Sequence, residues 1–249
     1  MKRFSLFYLL VAIFLYVPVC TGCSGEEKEH LETVYPSDVL QILSVDTEDT
    51  TDNSLPTRSI TTTVQTEGKQ LGIYAVRSDL SPYKPMDGAN PATYTYTSGS
   101  WGITDASQQL RLPKSGSLSV YAWHAAEEHL TPVYQNDGNS YLTGIHILSK
   151  DDFAATDQTD YLYPAAPATV NVSSRKATFT LKHALAKLTF KVYKASSLTD
   201  EMFLTGIEIR DHATTLQTGT DKTMLLKDGT LQGLNGVSTI TLTATDEQK

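Results

Sequence analysis

Few residues in this chain have the types and spacing that bond-making chemistry needs. His124 and His129 bracket Ala125-Ala126-Glu127-Glu128. Zinc-binding helices place two histidines four apart, on one face. Here the interval is five, about 140° around a helix, and the stretch follows a strand pattern. Asp151-Asp152 offers two carboxylates with no evident partner for acid–base work. His183 lies on the apolar phase of a strand pattern, where a core histidine with a hydrogen-bonded nitrogen is the expectation. No glycine-rich loop leads from a strand into a helix to hold phosphate. The residues therefore assign no catalytic group, cofactor or metal, and an enzyme is not expected. Two further residues invite chemistry done by other proteins: Cys23 could accept a lipid, and Arg58 could be cut by a trypsin-like or Arg-specific protease.

The elements that position these residues read as strands. The chain has 249 residues, enough for one large or two ordinary domains. Threonine is abundant, Gly and Pro recur throughout, and charged residues make up only 19%. That balance favours an all-β protein rich in turns. The formal charge of −8 leaves no basic surface to displace phosphate counterions, which argues against nucleic acid as a partner.

Residues 1–22 read as a secretory signal. Lys2 and Arg3 precede the apolar run Phe4–Val19, 16 residues long, short for a membrane span. The run ends in Cys20-Thr21-Gly22-Cys23, which resembles a bacterial lipobox with Cys23 as the lipidated first residue of the mature chain. Cys20 stands where the lipobox usually has Leu, and ordinary secretion with incidental cysteines is the competing reading. Removal of the signal takes away Lys2 and Arg3, moves the formal charge from −8 to −10, and leaves one cysteine. An intramolecular disulfide is then excluded, so a hydrophobic core must hold the fold. Residues 23–37, beginning Cys23-Ser24-Gly25-Glu26-Glu27, form an acidic tether.

Strand patterns follow in order. Asp38–Val45 is the first, and Asp46–Thr57 is a polar loop that leads to Arg58. Ser59–Thr66, Leu71–Val76, Tyr94–Thr97, Ser117–Trp123 and Tyr141–Leu148 come next, with loops over Arg77–Ala92 and His124–Asp137. Ala168–Val172 is expected to pair with Thr178–Leu181 across Ser173-Ser174-Arg175-Lys176. Leu204–Arg210 and Ser238–Ala244 alternate cleanly, and Asp228-Gly229 signals a hairpin. The most informative stretch is Ala177–Lys194. Phe179, Leu181, His183 and Leu185 are odd-numbered, whereas Leu188, Phe190 and Val192 are even. One straight strand cannot bury both sets, so a bend is expected at Ala186–Lys187. A helical stripe through Leu181, Leu185 and Leu188 is the alternative, and the flanking β-branched and aromatic residues favour strands. The proline-rich break Pro164–Pro167 divides the chain into an N-terminal β-sandwich, 38–167, and a second β domain, 168–249, that looks cut short.

In its ordered features the chain resembles the bacterial fimbrillins, lipoprotein pilins that include major, anchor and tip subunits. The resemblance rests on the signal with Cys23, the first strand followed by Thr57-Arg58-Ser59, the segment Leu71-Gly72-Ile73-Tyr74-Ala75, and above all His183-Ala184-Leu185-Ala186-Lys187-Leu188. It implies two transthyretin-like β-sandwich domains and a surface-exposed lipoprotein of the outer membrane or fimbrium. It further implies cleavage at Arg58–Ser59 by an Arg-specific protease, loss of the strand within Asp38–Val45, and its replacement by a strand from another pilus subunit. An alternative function is glycan capture on a surface β-sandwich. Tyr94, Tyr96, Trp101, Trp123, Tyr134 and Tyr141 could stack on sugars there, although such residues also build sandwich cores.

Overall fold

The structure, a computed structural model, describes residues 36–48, 63–103, 105–124, 130–152, 158–186 and 190–244. Cys23, Arg58, Ser59, His129, Lys187 and Leu188 lie outside the described residues. From Pro36 onward the chain belongs to one compact unit. It contains β1 (Gln41–Thr47), β2 (Gln70–Val76), β3 (Ala92–Thr97), β4 (Ser100–Gly102), β5 (Leu118–His124), β6 (Thr131–Tyr134), β7 (Ser140–Ile147) and β8 (Lys150–Asp152). It continues with β9 (Leu162–Pro164), β10 (Ala168–Val170), β11 (Lys176–His183), β12 (Gly206–Arg210), β13 (Leu216–Leu225), β14 (Leu231–Gln232), β15 (Asn235–Val237) and β16 (Thr239–Thr243). The chain is all-β, arranged in several sheets.

The largest sheet runs β1-β11-β9-β5-β2-β3-β4, with β10 also on β5. Its central strands are buried on both faces, which explains why LGIYAV and SLSVYAW are nearly continuous apolar runs rather than alternating ones. Leu71, Ile73, Ala75, Leu118, Val120 and Ala122 face a first core. Tyr74, Val76, Tyr121 and Trp123 face a second. The second core also takes Leu142 and Ile145 of β7, and Met224 of β13, from the sheet β14-β13-β7-β6. Two sheets thus pack face to face across the second core, as in a sandwich. Gly72 sits opposite Trp123 in the β2–β5 ladder. A Cβ at Gly72 would lie 2.1 Å from the Trp123 indole, so only glycine admits the ring there.

Several expectations change. β10 pairs with β5 and not with β11; Asn171 and Ser174 bridge only each other. Strands on both sides of Pro167 share the large sheet, so the expected boundary at 167/168 falls inside a sheet. The stretch read as a loop over His124–Asp137 contains β6. β13, the longest strand at 10 residues, was not marked by the sequence pattern at all. The Asp228-Gly229 hairpin is present, joining β13 to β14 with Gly229 at φ +72°.

The largest difference concerns Ala177–Lys194. The first phase is a strand as expected: Ala177, Phe179 and Leu181 of β11 enter the first core. The chain then leaves the sheet at His183, earlier than the expected bend, and Ala184 and Leu185 pack against the second core. The second phase forms no strand. Phe190, Val192 and Tyr193 are 45%, 61% and 82% exposed in a stretch without regular structure. Alternation sets a phase, but a strand also needs a neighbour to pair with, and among the described residues 190–204 has none.

Candidate functional site: an edge strand held at both ends

Val-Leu-Gln-Ile-Leu-Ser-Val is a good strand sequence, rich in β-branched and aliphatic residues. As β1 it forms the outermost strand of the large sheet. It runs parallel to β11, with Ile42 opposite Ala177 and Val45 opposite Phe179. The register slips between Ile42 and Ser44. Leu43 is the extra residue and points outward, 56% exposed. This bulge, rare between parallel strands, resets the alternation, so Leu40, Ile42 and Val45 all point into the first core. Strict alternation would have turned Val45 to solvent.

The strand also changes partner along its length. At its start, the Leu40 N–H donates to the Leu110 carbonyl (3.0 Å) and the Leu112 N–H to the Asp38 carbonyl (2.6 Å). From Gln41 it bonds along β11: Gln41 N–H to the Arg175 carbonyl (2.9 Å), and Glu48 N–H to the Leu181 carbonyl (2.8 Å). Residues 38–48 therefore close a seam between Leu110–Leu112 and β11. In the middle, the buried Tyr94 hydroxyl donates to the Leu40 carbonyl at 3.1 Å.

Each end carries an ion pair. Arg111 Nη1 lies 2.9 Å from Asp38 Oδ1, and Lys182 Nζ lies 3.0 Å from Glu48 Oε1. The hydrogen bond and charge of Glu48 hold the Lys182 ammonium above its usual pKa. These groups were not found by sequence reasoning. Asp38 and Glu48 flank the first strand pattern visibly, but nothing in sequence reveals that their partners lie at 111 and 182.

Magnitude decides what β1 can do. Val39, Leu40, Ile42 and Val45 are each at most 5% exposed. At about 1.5–3 kcal/mol per buried aliphatic side chain, they contribute roughly 6–12 kcal/mol as an upper estimate. That is comparable with the whole stability of a typical domain, about 5–15 kcal/mol. Removing the strand with nothing in its place would cost the fold a large share of its stability.

The segment read as most diagnostic, beginning at His183, performs an anchoring task. The His183 Nδ1–H donates to Asp160, 2.9 Å from Oδ1 and 3.1 Å from Oδ2, with both side chains only 10% exposed. The Ala184 N–H donates to the Tyr161 carbonyl at 2.9 Å. Ala184 and Leu185 then enter the second core. This chain of contacts fixes where β11, the partner of β1, ends and turns. Ala186 closes the described part of the segment.

The remaining candidates do not converge. His124 is buried, and its Nδ1–H is committed to the Gln70 carbonyl at 2.9 Å. Asp151 and Asp152 lie in β8, paired in register with Leu242 and Thr243. Among the described residues no group of three His, Cys, Asp or Glu could hold a metal ion. The six aromatic residues considered for sugar stacking do not form one exposed platform. Tyr94, Trp101, Trp123 and Tyr141 are buried, and Trp101 and Trp123 face different cores. Tyr96 meets Trp101 edge-on at 5.3 Å, and Tyr134 is exposed.

A fimbrillin-like family profile matches residues 57–249. The chain belongs to the fimbrillin-like family. Among solved structures it is similar to a proposed cell adhesion protein from Bacteroides ovatus ATCC 8483. That match has 14% identity, covers 82% of this chain and 72% of the other, and has a TM-score of 0.40. No curated protein sequence matches the chain.

Proposed function

We propose that the protein is a cell-surface lipoprotein that serves as a pilus subunit, or as a pilus-associated anchor or accessory protein, and assembles by strand exchange. The lipid on Cys23 holds the precursor at the outer membrane. An Arg-specific protease cuts Arg58–Ser59, β1 departs, and a strand from another subunit takes its place. The observation that carries the reading is β1 itself: an edge strand that fills a core seam, paired on one flank to β11 and joined to the rest of the fold through residues 49–62. Glu48 is held at one end of that connection and Val64 is buried in the first core at the other. Arg58 stands between them and is the sole Lys or Arg between Lys28 and Lys69. A cut there separates β1 covalently from its sheet. An unfilled seam exposes backbone donors, acceptors and an apolar floor, which strand addition satisfies together.

The test uses the non-lipidated protein with an Arg-specific protease and a gel that resolves oligomers. The expected result is a ladder that appears after cleavage and is absent in Arg58→Ala. Cleavage after Arg58 without any higher species, even with a donor subunit present, would contradict pilin function. Lipidation is checked separately: Cys23→Ala should release the protein from the membrane fraction.

A further inference from the structure

We propose that the seam selects its incoming strand by the charge at the strand's two ends. It takes an extended segment parallel to β11, with inward-facing apolar residues and an acidic residue at each end. The inference rests on the strand-exchange reading above and adds the chemistry of the partner.

The pattern follows from what β1 leaves behind. Asp38 and Glu48 are those ends, and Leu40, Ile42 and Val45 are the inward-facing residues between them. The uneven apolar spacing belongs to β1 alone, because Leu43 is its extra residue while Ala177, Thr178 and Phe179 of β11 stay consecutive, so the vacated edge is regular. A regularly alternating segment that meets Ala177 and Phe179 with apolar residues fits that edge as well, so apolar spacing does not discriminate and the end charges must. At the start of the seam stands Arg111, whose Nε is buried without a hydrogen-bond partner and whose Nη1 reaches Asp38. At the far end stands Lys182, held by Glu48. A replacement strand lacking acids would leave two cations at the seam without their carboxylates, one of them partly buried, and such omissions penalise a wrong partner. The pairs sit at opposite ends, so they also fix direction and register, which apolar contacts alone do poorly.

The experiment uses the full chain cleaved after Arg58 and three fluorescent peptides, read by anisotropy. One carries residues 36–48 unchanged. The second carries Asp38→Asn with Glu48→Gln, and the third carries Asp38→Lys with Glu48→Lys. The unchanged peptide should bind about tenfold more tightly than the neutral one at low salt. That gap should close near 1 M salt, where screening is nearly complete. The lysine peptide should bind more weakly still at low salt. Protein carrying Arg111→Gln and Lys182→Gln should bind the first two peptides alike. Equal binding of all three peptides by the unaltered protein would overturn this inference while leaving strand exchange standing. Binding by none of them would overturn strand release, and the inference with it.

Discussion

β11 and the β12–β16 pair carry the same kind of sequence alternation, and the fold treats them oppositely. In β11, Ala177, Phe179 and Leu181 vanish into the first core. In the antiparallel pair β12–β16, Ile207 faces Leu242 and Ile209 faces Ile240, yet all four remain only half-buried. The preceding stretch presents Phe190, Val192, Tyr193, Met202, Phe203 and Leu204 to solvent. The difference lies in what covers each face. β11 is flanked by β1 and β9 and roofed by the first core. β12 and β16 contribute no residue to either core, and Ala244, just past β16, is buried apart from both. Alternation tells which residues share a face, and only a second layer tells whether that face is dry.

The comparison can be broken by substitution. Phe179→Ala should cost about 3–5 kcal/mol, read from the urea midpoint at constant slope, because a filled core site is emptied. His183→Ala should cost less, about 1–3 kcal/mol, since it leaves the Asp160 carboxylate nearly buried without this donor. Ile209→Ala should cost under about 1 kcal/mol, as expected for a side chain that never left water fully. It should also lower binding of a hydrophobic dye, whereas Phe179→Ala should raise it. Equal costs at Phe179 and Ile209 would mean the β12–β16 face is covered in solution.

A smaller effect, visible only in acid, compares the β6–β7 turn with the turn after β12. Asp137 accepts from Asn139 and from the Tyr141 hydroxyl, and its pKa falls from 3.8 to about 2. Asp211 accepts from Ala213 and Thr215 and falls likewise to about 2. A lowered carboxylate pKa stabilises the fold above the unfolded value and loses that contribution as pH drops through the folded one. Stability should therefore decline between about pH 4 and pH 2. Asp137→Asn and Asp211→Asn should each flatten that decline. If hydrogen exchange is followed region by region, Asp211→Asn should alter β12 and β13 and leave β11 unchanged.

Much of the β framework was legible because β2, β5, β7, β12 and β16 announce themselves by apolar runs or strict alternation. β13 was not, because Thr218-Gly219-Thr220-Asp221-Lys222 is polar and its ladder with β7 slips twice. The site was legible in outline: the first strand and the histidine of the segment starting at 183 stand out. Its closure was not. Asp38 and Arg111 are 73 residues apart, and His183 and Asp160 are 23 apart, so these pairings exist only after the sheet has formed. Leu43 as a bulge was equally hidden, since the sequence Leu-Gln-Ile-Leu-Ser-Val allows either phase until β11 chooses one.

Strand exchange itself can be locked. Asp46 and Thr180 are register neighbours in β1 and β11, both pointing outward. In protein carrying Asp46→Cys with Thr180→Cys, and Cys23→Ala to remove the competing thiol, oxidation would tie β1 to its sheet. The expected result is cleavage after Arg58 in both redox states, with oligomer ladders only after reduction. Ladders of equal strength in the oxidised protein would contradict departure of β1 as the assembly step.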